Sequence, residues 1–178
     1  MPSVESLEEK IRERLNQLGP SHFGARKWYK ICAALDNLGD TALALKSYRK
    51  SGLGRTFPSQ YLRLFGVLQS IYIQQDSIKT LWTEIVGSWS NPLSSSGWSR
   101  IRRLRNVVGG HPAERGGAVA RITIKTQRLL CTSFDNSTNR TVYETIDFKS
   151  ALRDYTHEAG QILASLYEEV TKPSWREP

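Results

Sequence analysis

The 178 residues include only two cysteines and three histidines, and the two thiols share neither a disulfide framework nor metal-ligand spacing. Cys32 falls in a helical pattern and Cys131 in a strand pattern, so both read as reduced core residues. No Gly-x-Ser-x-Gly elbow occurs, which sets aside the common serine-hydrolase arrangement. No histidine has the His, Cys or carboxylate company that zinc requires, so neither a metal nor another cofactor is expected. No apolar run reaches transmembrane length, and the start, Met1-Pro2-Ser3-Val4-Glu5, lacks a basic region followed by an apolar one. The expectation is a cytoplasmic protein with no membrane partner. Asn136-Ser137-Thr138 and Asn139-Arg140-Thr141 then read as turn residues rather than glycosylation sites.

Acidic residues are also in deficit. Seventeen Asp and Glu stand against 25 Lys and Arg, a net charge of +8, and the isoelectric point is near 9.7. That excess is an electrostatic footprint suited to nucleic acid or another anionic surface. With 39% apolar residues the chain can bury a core, and its length suits one domain covering 1–178.

Most of the chain has helical periodicity. Leu7, Ile11, Leu15 and Leu18 share one face of a helix over 6–18, with Ser6 and Glu9 spaced as a capping box and Gly19-Pro20 as its end. A second helical region starts near Arg26 and carries Trp28, Ile31, Leu35 and Leu38. Gly39-Asp40-Thr41 then offers a break, leaving one kinked helix or two. Ser51-Gly52-Leu53-Gly54-Arg55 reads as a helix–helix connection beside a basic cluster of Lys46, Arg49, Lys50 and Arg55. No strand precedes it, as a phosphate-cradling loop would need. From Pro58 to about Val86 runs the longest periodic segment, with Tyr61, Leu64, Phe65, Leu68, Ile71, Tyr72, Ile78 and Trp82 as its stripe. Gln75 sits where that stripe asks for an apolar residue, so it must find polar partners, as part of the core or of a site.

After position 112 the period changes from helical to alternating. Residues around 118–146 read as a three-stranded antiparallel meander, too small to fold alone and expected to lean on the helices. A last helix follows with Asp147 as its N-cap, running to about Thr171. The predicted fold is therefore mainly α, an antiparallel helical bundle with a small β-meander inserted before the last helix.

The chemistry-bearing stretch is Gly97-Trp98-Ser99-Arg100-Ile101-Arg102-Arg103-Leu104-Arg105-Asn106-Val107-Val108-Gly109-Gly110-His111-Pro112. On a helix, Ile101, Leu104 and Val108 form a stripe that includes Arg105, while Arg103 points away. A guanidinium directed at a packed surface asks for an anion, either a carboxylate of the fold such as Asp76 or a phosphate from outside. Gly109-Gly110 and Pro112 end the helix and leave His111 on a turn. An Arg fork and an imidazole titrating near pH ~6.5 together suit phosphate chemistry without metal. His22 and His157 read as surface residues.

Arg105-Asn106 followed by His111 resembles the signature of HEPN domains, an Arg with a polar neighbour and a His four to six residues later. Gly110-His111-Pro112 and the Tyr72-x-Gln74-Gln75-Asp76 run also resemble bacterial members. The likeness covers about 1–112 and 147–172, and the strand insertion departs from it. The resemblance implies a helical bundle that dimerises so that two motifs meet in a cleft and, in active members, a metal-independent endoribonuclease. Arg105 would hold the scissile phosphate, His111 would be the general acid or base, and Asn106 would orient a partner or substrate. Attack by the ribose 2′-hydroxyl would leave a 2′,3′-cyclic phosphate. Arg100, Arg102, Arg103 and Arg115 would form a basic rim for RNA. Such proteins serve as toxins or antiviral effectors, which implies an antitoxin or defence-system partner. Some are silenced by modification of a Tyr shortly after the His, a position where this chain has Pro112-Ala113-Glu114-Arg115. Other members are scaffolds or binding modules without activity.

Overall fold

A computed structural model describes residues 2–92, 96–109, 118–125, 128–135 and 138–175. Its elements in chain order are helices α1 (Val4–Phe23), α2 (Ala25–Ser51), α3 (Phe57–Val86) and α4 (Gly97–Gly109), strands β1 (Ala118–Lys125), β2 (Arg128–Asp135) and β3 (Arg140–Asp147), and helix α5 (Phe148–Thr171). A short 3₁₀ turn follows at Pro173–Trp175. The architecture is mainly helical, with a small antiparallel sheet inserted before the last helix, as the hydrophobic periodicity predicts.

Helix α1 starts earlier and ends later than its apolar face suggests. Ser3, not Ser6, is the cap, its hydroxyl accepting from the Ser6 amide at 3.1 Å. The helix bends rather than stops at Gly19, whose φ of 67° interrupts the helical path before Pro20 opens a final turn. In α2 the Gly39-Asp40-Thr41 break does not occur. Thr41 is absorbed into the helix because its hydroxyl donates back to the carbonyls of Asn37 and Leu38. Gly39 lies against α1, where a side chain would approach the Glu8 carboxylate. Thus α2 is one continuous helix of 27 residues.

The short connections make α1, α2 and α3 successive antiparallel neighbours. Helix α5 returns to pack on α1 and α3, and α4 crosses between α3 and α5. The core draws on all five helices: Leu7, Ile11 and Leu15 of α1, Leu35 and Leu38 of α2, Leu68, Ile71 and Ile78 of α3, Ile101 of α4, and Tyr155 and Leu163 of α5 are all buried. Phe65, which the periodicity placed on the inner stripe of α3, instead faces out at 43% exposure.

Two adjacent glutamines of α3 tie the helices together. Gln74 accepts from the Tyr155 hydroxyl at 2.8 Å and donates to Thr41 Oγ1 at 3.3 Å, linking α5, α3 and α2. Gln75 donates to the Trp98 carbonyl at 2.9 Å and accepts from Arg102 at 3.3 Å. Among the described residues no buried side-chain nitrogen or oxygen lacks a partner, so the glutamines fix how the helices meet without an unsatisfied penalty.

The sheet pairs in the order β1-β2-β3. One cross-strand row, Ile124 opposite Leu129 opposite Ile146, attaches it to the helices. The far end of β3 is open, with Val142 and Tyr143 exposed. Asp147 closes the strand and caps α5, its carboxylate accepting from the Ser150 amide at 3.0 Å.

Candidate functional site

Helix α4 carries the arginines, and its position is set at its first turn. Ser96 caps it, its hydroxyl accepting from the Ser99 amide at 3.1 Å, and the amides of Gly97 and Trp98 point at the two carboxylate oxygens of Glu158 on α5, at 2.7 and 2.8 Å. A carboxylate at a helix start satisfies orphan donors and complements the macrodipole. Gly97 is required there: a Cβ would stand 2.8 Å from backbone atoms of Asp154 and Tyr155. Trp98, Ile101 and Leu104 are buried beneath the helix.

From that anchored stripe the arginines diverge to two sides. Arg102 and Arg105 both reach the ring of Tyr72 on α3, their guanidinium carbons 4.4 and 4.1 Å from its centroid. Arg102 also forms an ion pair with Asp76 at 3.0 Å. Arg105 donates to Gln69 Oε1 at 3.1 Å and to Asn106 Oδ1 at 3.3 Å, and among the described residues it meets no carboxylate. The expectation that Arg105 points into a packed surface needs correcting. The residue is half-buried at the edge of the stripe, and Asp76 pairs with Arg102 instead. An edge position lets the long side chain lay its stem along the core while its head stays wet.

Arg100 and Arg103 lie on the other side. They border a cleft of about 290 Å³ between α4, β3 and α5, with Cys131 and Glu144 in its wall. Arg100 reaches Asp154 at 3.5 Å. Burial pushes the Cys131 thiol pKa up, and Glu144, its partner across the sheet, pushes it further. The rim inferred from sequence is therefore split: Arg102 stands beside Arg105, whereas Arg100 and Arg103 face the sheet. His111 and Arg115 lie outside the described residues. His22 and His157 are exposed, as expected.

Two members of the Arg105 environment escaped sequence reasoning. Gln69 has no signal of its own, and Tyr72 enters the sequence reading as part of the α3 stripe and of the Tyr72-x-Gln74-Gln75-Asp76 run, not as a partner of Arg105. The signal that could have found them is spacing: Leu62, Phe65, Gln69, Tyr72 and Asp76 recur at three- and four-residue intervals along one face of α3. Leu62 is 75% exposed, so the end of this face remote from Asp76 is apolar and open.

Among the described residues no His, Cys, Asp and Glu side chains cluster so as to hold a metal ion. Among them, too, no helix is long and apolar enough to cross a membrane. Comparison with protein-family models, with curated proteins and with solved structures gives no match to this chain.

Proposed function

We propose that the chain is a HEPN-type endoribonuclease, acting without metal as a homodimer whose Arg105, Asn106 and His111 meet their counterparts across the interface. One observation carries the reading: among the described residues Arg105 is held by an aromatic ring and two amide oxygens rather than by a carboxylate. Such a cradle orients a guanidinium without neutralising it, leaving its charge for a phosphate. The scissile phosphate of RNA lies on Arg105. The ribose 2′-hydroxyl attacks phosphorus, His111 takes the proton from that hydroxyl or gives one to the departing 5′ oxygen, and a 2′,3′-cyclic phosphate remains. Arg102, Arg103, Arg100 and Arg115 supply the surrounding positive field. Leu62 and Phe65, exposed on the same face of α3, offer an apolar seat for the second copy. A toxin or antiviral effector, restrained by an antitoxin or defence-system partner, is the biological role that fits this chemistry.

The test is incubation of RNA with the purified protein in EDTA, beside His111→Ala and Arg105→Ala. Cyclic-phosphate ends are expected with the wild type and not with the variants. Equal cleavage by all three removes the assignment. The second reading is a non-catalytic nucleic-acid, nucleotide or protein-binding module with Arg105 as anion anchor, favoured by the same neutral cradle. For an RNA ligand it expects affinity that falls steeply with salt, loss of binding in Arg105→Ala, and no cleavage product.

A further inference from the structure

Arg49, one member of the basic cluster at the end of α2, faces a cleft remote in sequence from the α4 arginines. The cleft, about 1040 Å³, opens between the start of α1, the end of α2 and the first turns of α5. That volume lies at the upper end of sites for small organic molecules, roughly 300–1,000 Å³. Among the described residues three cationic side chains, Arg49, Lys149 and Arg153, border it against a single carboxylate, Asp147, beside the His157 imidazole.

Those charges are poorly neutralised. Arg49 donates to the hydroxyl of Thr156 at 3.2 Å, a neutral partner. Lys149 has no carboxylate within ion-pair range among the described residues. Arg153 donates to the Ser150 hydroxyl at 3.1 Å and reaches Asp154 only at 3.4 Å, a carboxylate that Arg100 also engages. Asp147 is committed to capping α5. Three cations converging on one concavity from two helices repel one another unless an anion joins them.

The floor is of another character. Leu53 and Leu152 are buried there, and the half-buried Tyr48 ring packs edge-on against Phe148. Burial, and then Asp147, push the Tyr48 phenol pKa up, so near neutral pH its hydroxyl stays protonated and able to donate. A bare inorganic anion would leave this apolar floor unused.

We propose that this cleft binds a small phosphate monoester, its dianion held by Arg49, Lys149 and Arg153 and its organic part, of sugar or nucleoside size, laid on Leu53, Leu152 and Tyr48. The site does not depend on the RNA-cleaving reading, because none of its residues belongs to the Arg105 cluster.

Calorimetric titration of the full chain with ribose 5-phosphate, adenosine 5′-monophosphate and inorganic phosphate tests it. Saturable binding of at least one monoester, tighter than inorganic phosphate, is expected. Arg49→Gln and Arg153→Gln should each weaken it about tenfold, the loss of one charge-assisted contact. Arg105→Ala should leave it unchanged. Lys46→Gln, outside the cleft, is the control, and melting curves check that the variants stay folded. The proposal is overturned if no monoester saturates, if inorganic phosphate binds as tightly as the esters, or if Lys46→Gln weakens binding as much as Arg49→Gln. It is overturned equally if Arg49→Gln weakens only the binding of an RNA oligonucleotide, which would make the cleft a strand-binding track.

Discussion

Arg105 on α4 lies over the ring of Tyr72 on α3, its guanidinium 4.1 Å from the ring centroid, and Arg102 one turn earlier shares that ring at 4.4 Å. Two like charges on neighbouring turns would otherwise splay apart. The ring quadrupole attracts both, and Asp76 offsets only one.

Tyr72 is accordingly a positioning residue for Arg105. Under the proposed ribonuclease reading, Tyr72→Phe, which keeps the ring, should leave RNA affinity and cleavage near wild type. Tyr72→Ala releases both arginines and should weaken RNA affinity about two- to fivefold, the equivalent of ~0.5–1 kcal/mol for an exposed cation–π contact. Filter binding at fixed low salt checks this. Equal behaviour of the two variants would show that the ring does not position Arg105.

Gly97 and Glu158 should matter to stability more than any α4 arginine. Gly97→Ala places a methyl against backbone atoms that cannot move aside, and should destabilise by about 1–3 kcal/mol. Glu158→Ala leaves two amides of a part-buried helix start without their acceptor, for a similar loss. Glu158→Gln, which keeps one acceptor oxygen, should fall between it and wild type. Urea unfolding measures all three.

Much of the fold could be read from the sequence because its cues are local. The period of α3, Pro58 at its start and the Asp147 cap each depend on residues within a few positions. At Gly39-Asp40-Thr41 the sequence leaves one kinked helix or two open, and the helix runs through because Thr41 donates back to its own helix while Gly39 lies against Glu8 of α1, a contact that periodicity does not reveal. Arg105 was assigned to the wrong depth because periodicity resolves the angle of a side chain but not whether a neighbouring helix covers the edge of a stripe. The cleft was harder still, since Arg49 and Thr156 stand 107 positions apart and only folding unites them.

Tyr155 predicts a response to alkali. Complete burial raises its phenol pKa well above the usual value of about 10, so the native state disfavours the phenolate and the unfolded chain does not. This contribution to stability is intact below pH ~10 and is lost as pH rises from there towards the folded-state pKa. Tyr155→Phe should be less stable at neutral pH by about 1–3 kcal/mol, because the Gln74 oxygen loses its donor. Its stability should also fall less steeply than wild type above pH ~10. Parallel slopes in denaturant titrations at pH 8–11 would contradict this assignment.

The two thiols should separate by rate. Cys131 is buried with a raised pKa, so little thiolate forms near neutral pH. Cys32 is half-buried on α2. Iodoacetamide at pH 8 should label Cys32 first in the native protein, and Cys32→Ser should leave only slow labelling that speeds up in urea. Fast labelling of Cys131 in the native state would mean that α4 and α5 do not cover this face of the sheet.

The clamp of Glu158 on the first turn of α4 separates two kinds of tolerance along a single helix. Arg105 lies a little over two turns further on, about 12 Å away. The helix is like a shelf, clamped at one end, seated on the core along one edge through Ile101 and Leu104, and carrying its polar groups on the other. Arg102, Arg103, Arg105 and Asn106 can therefore be exchanged during evolution with little effect on assembly, while Leu104 among them stays fixed by the core. The same freedom is denied at Gly97, where a single methyl would unseat the shelf.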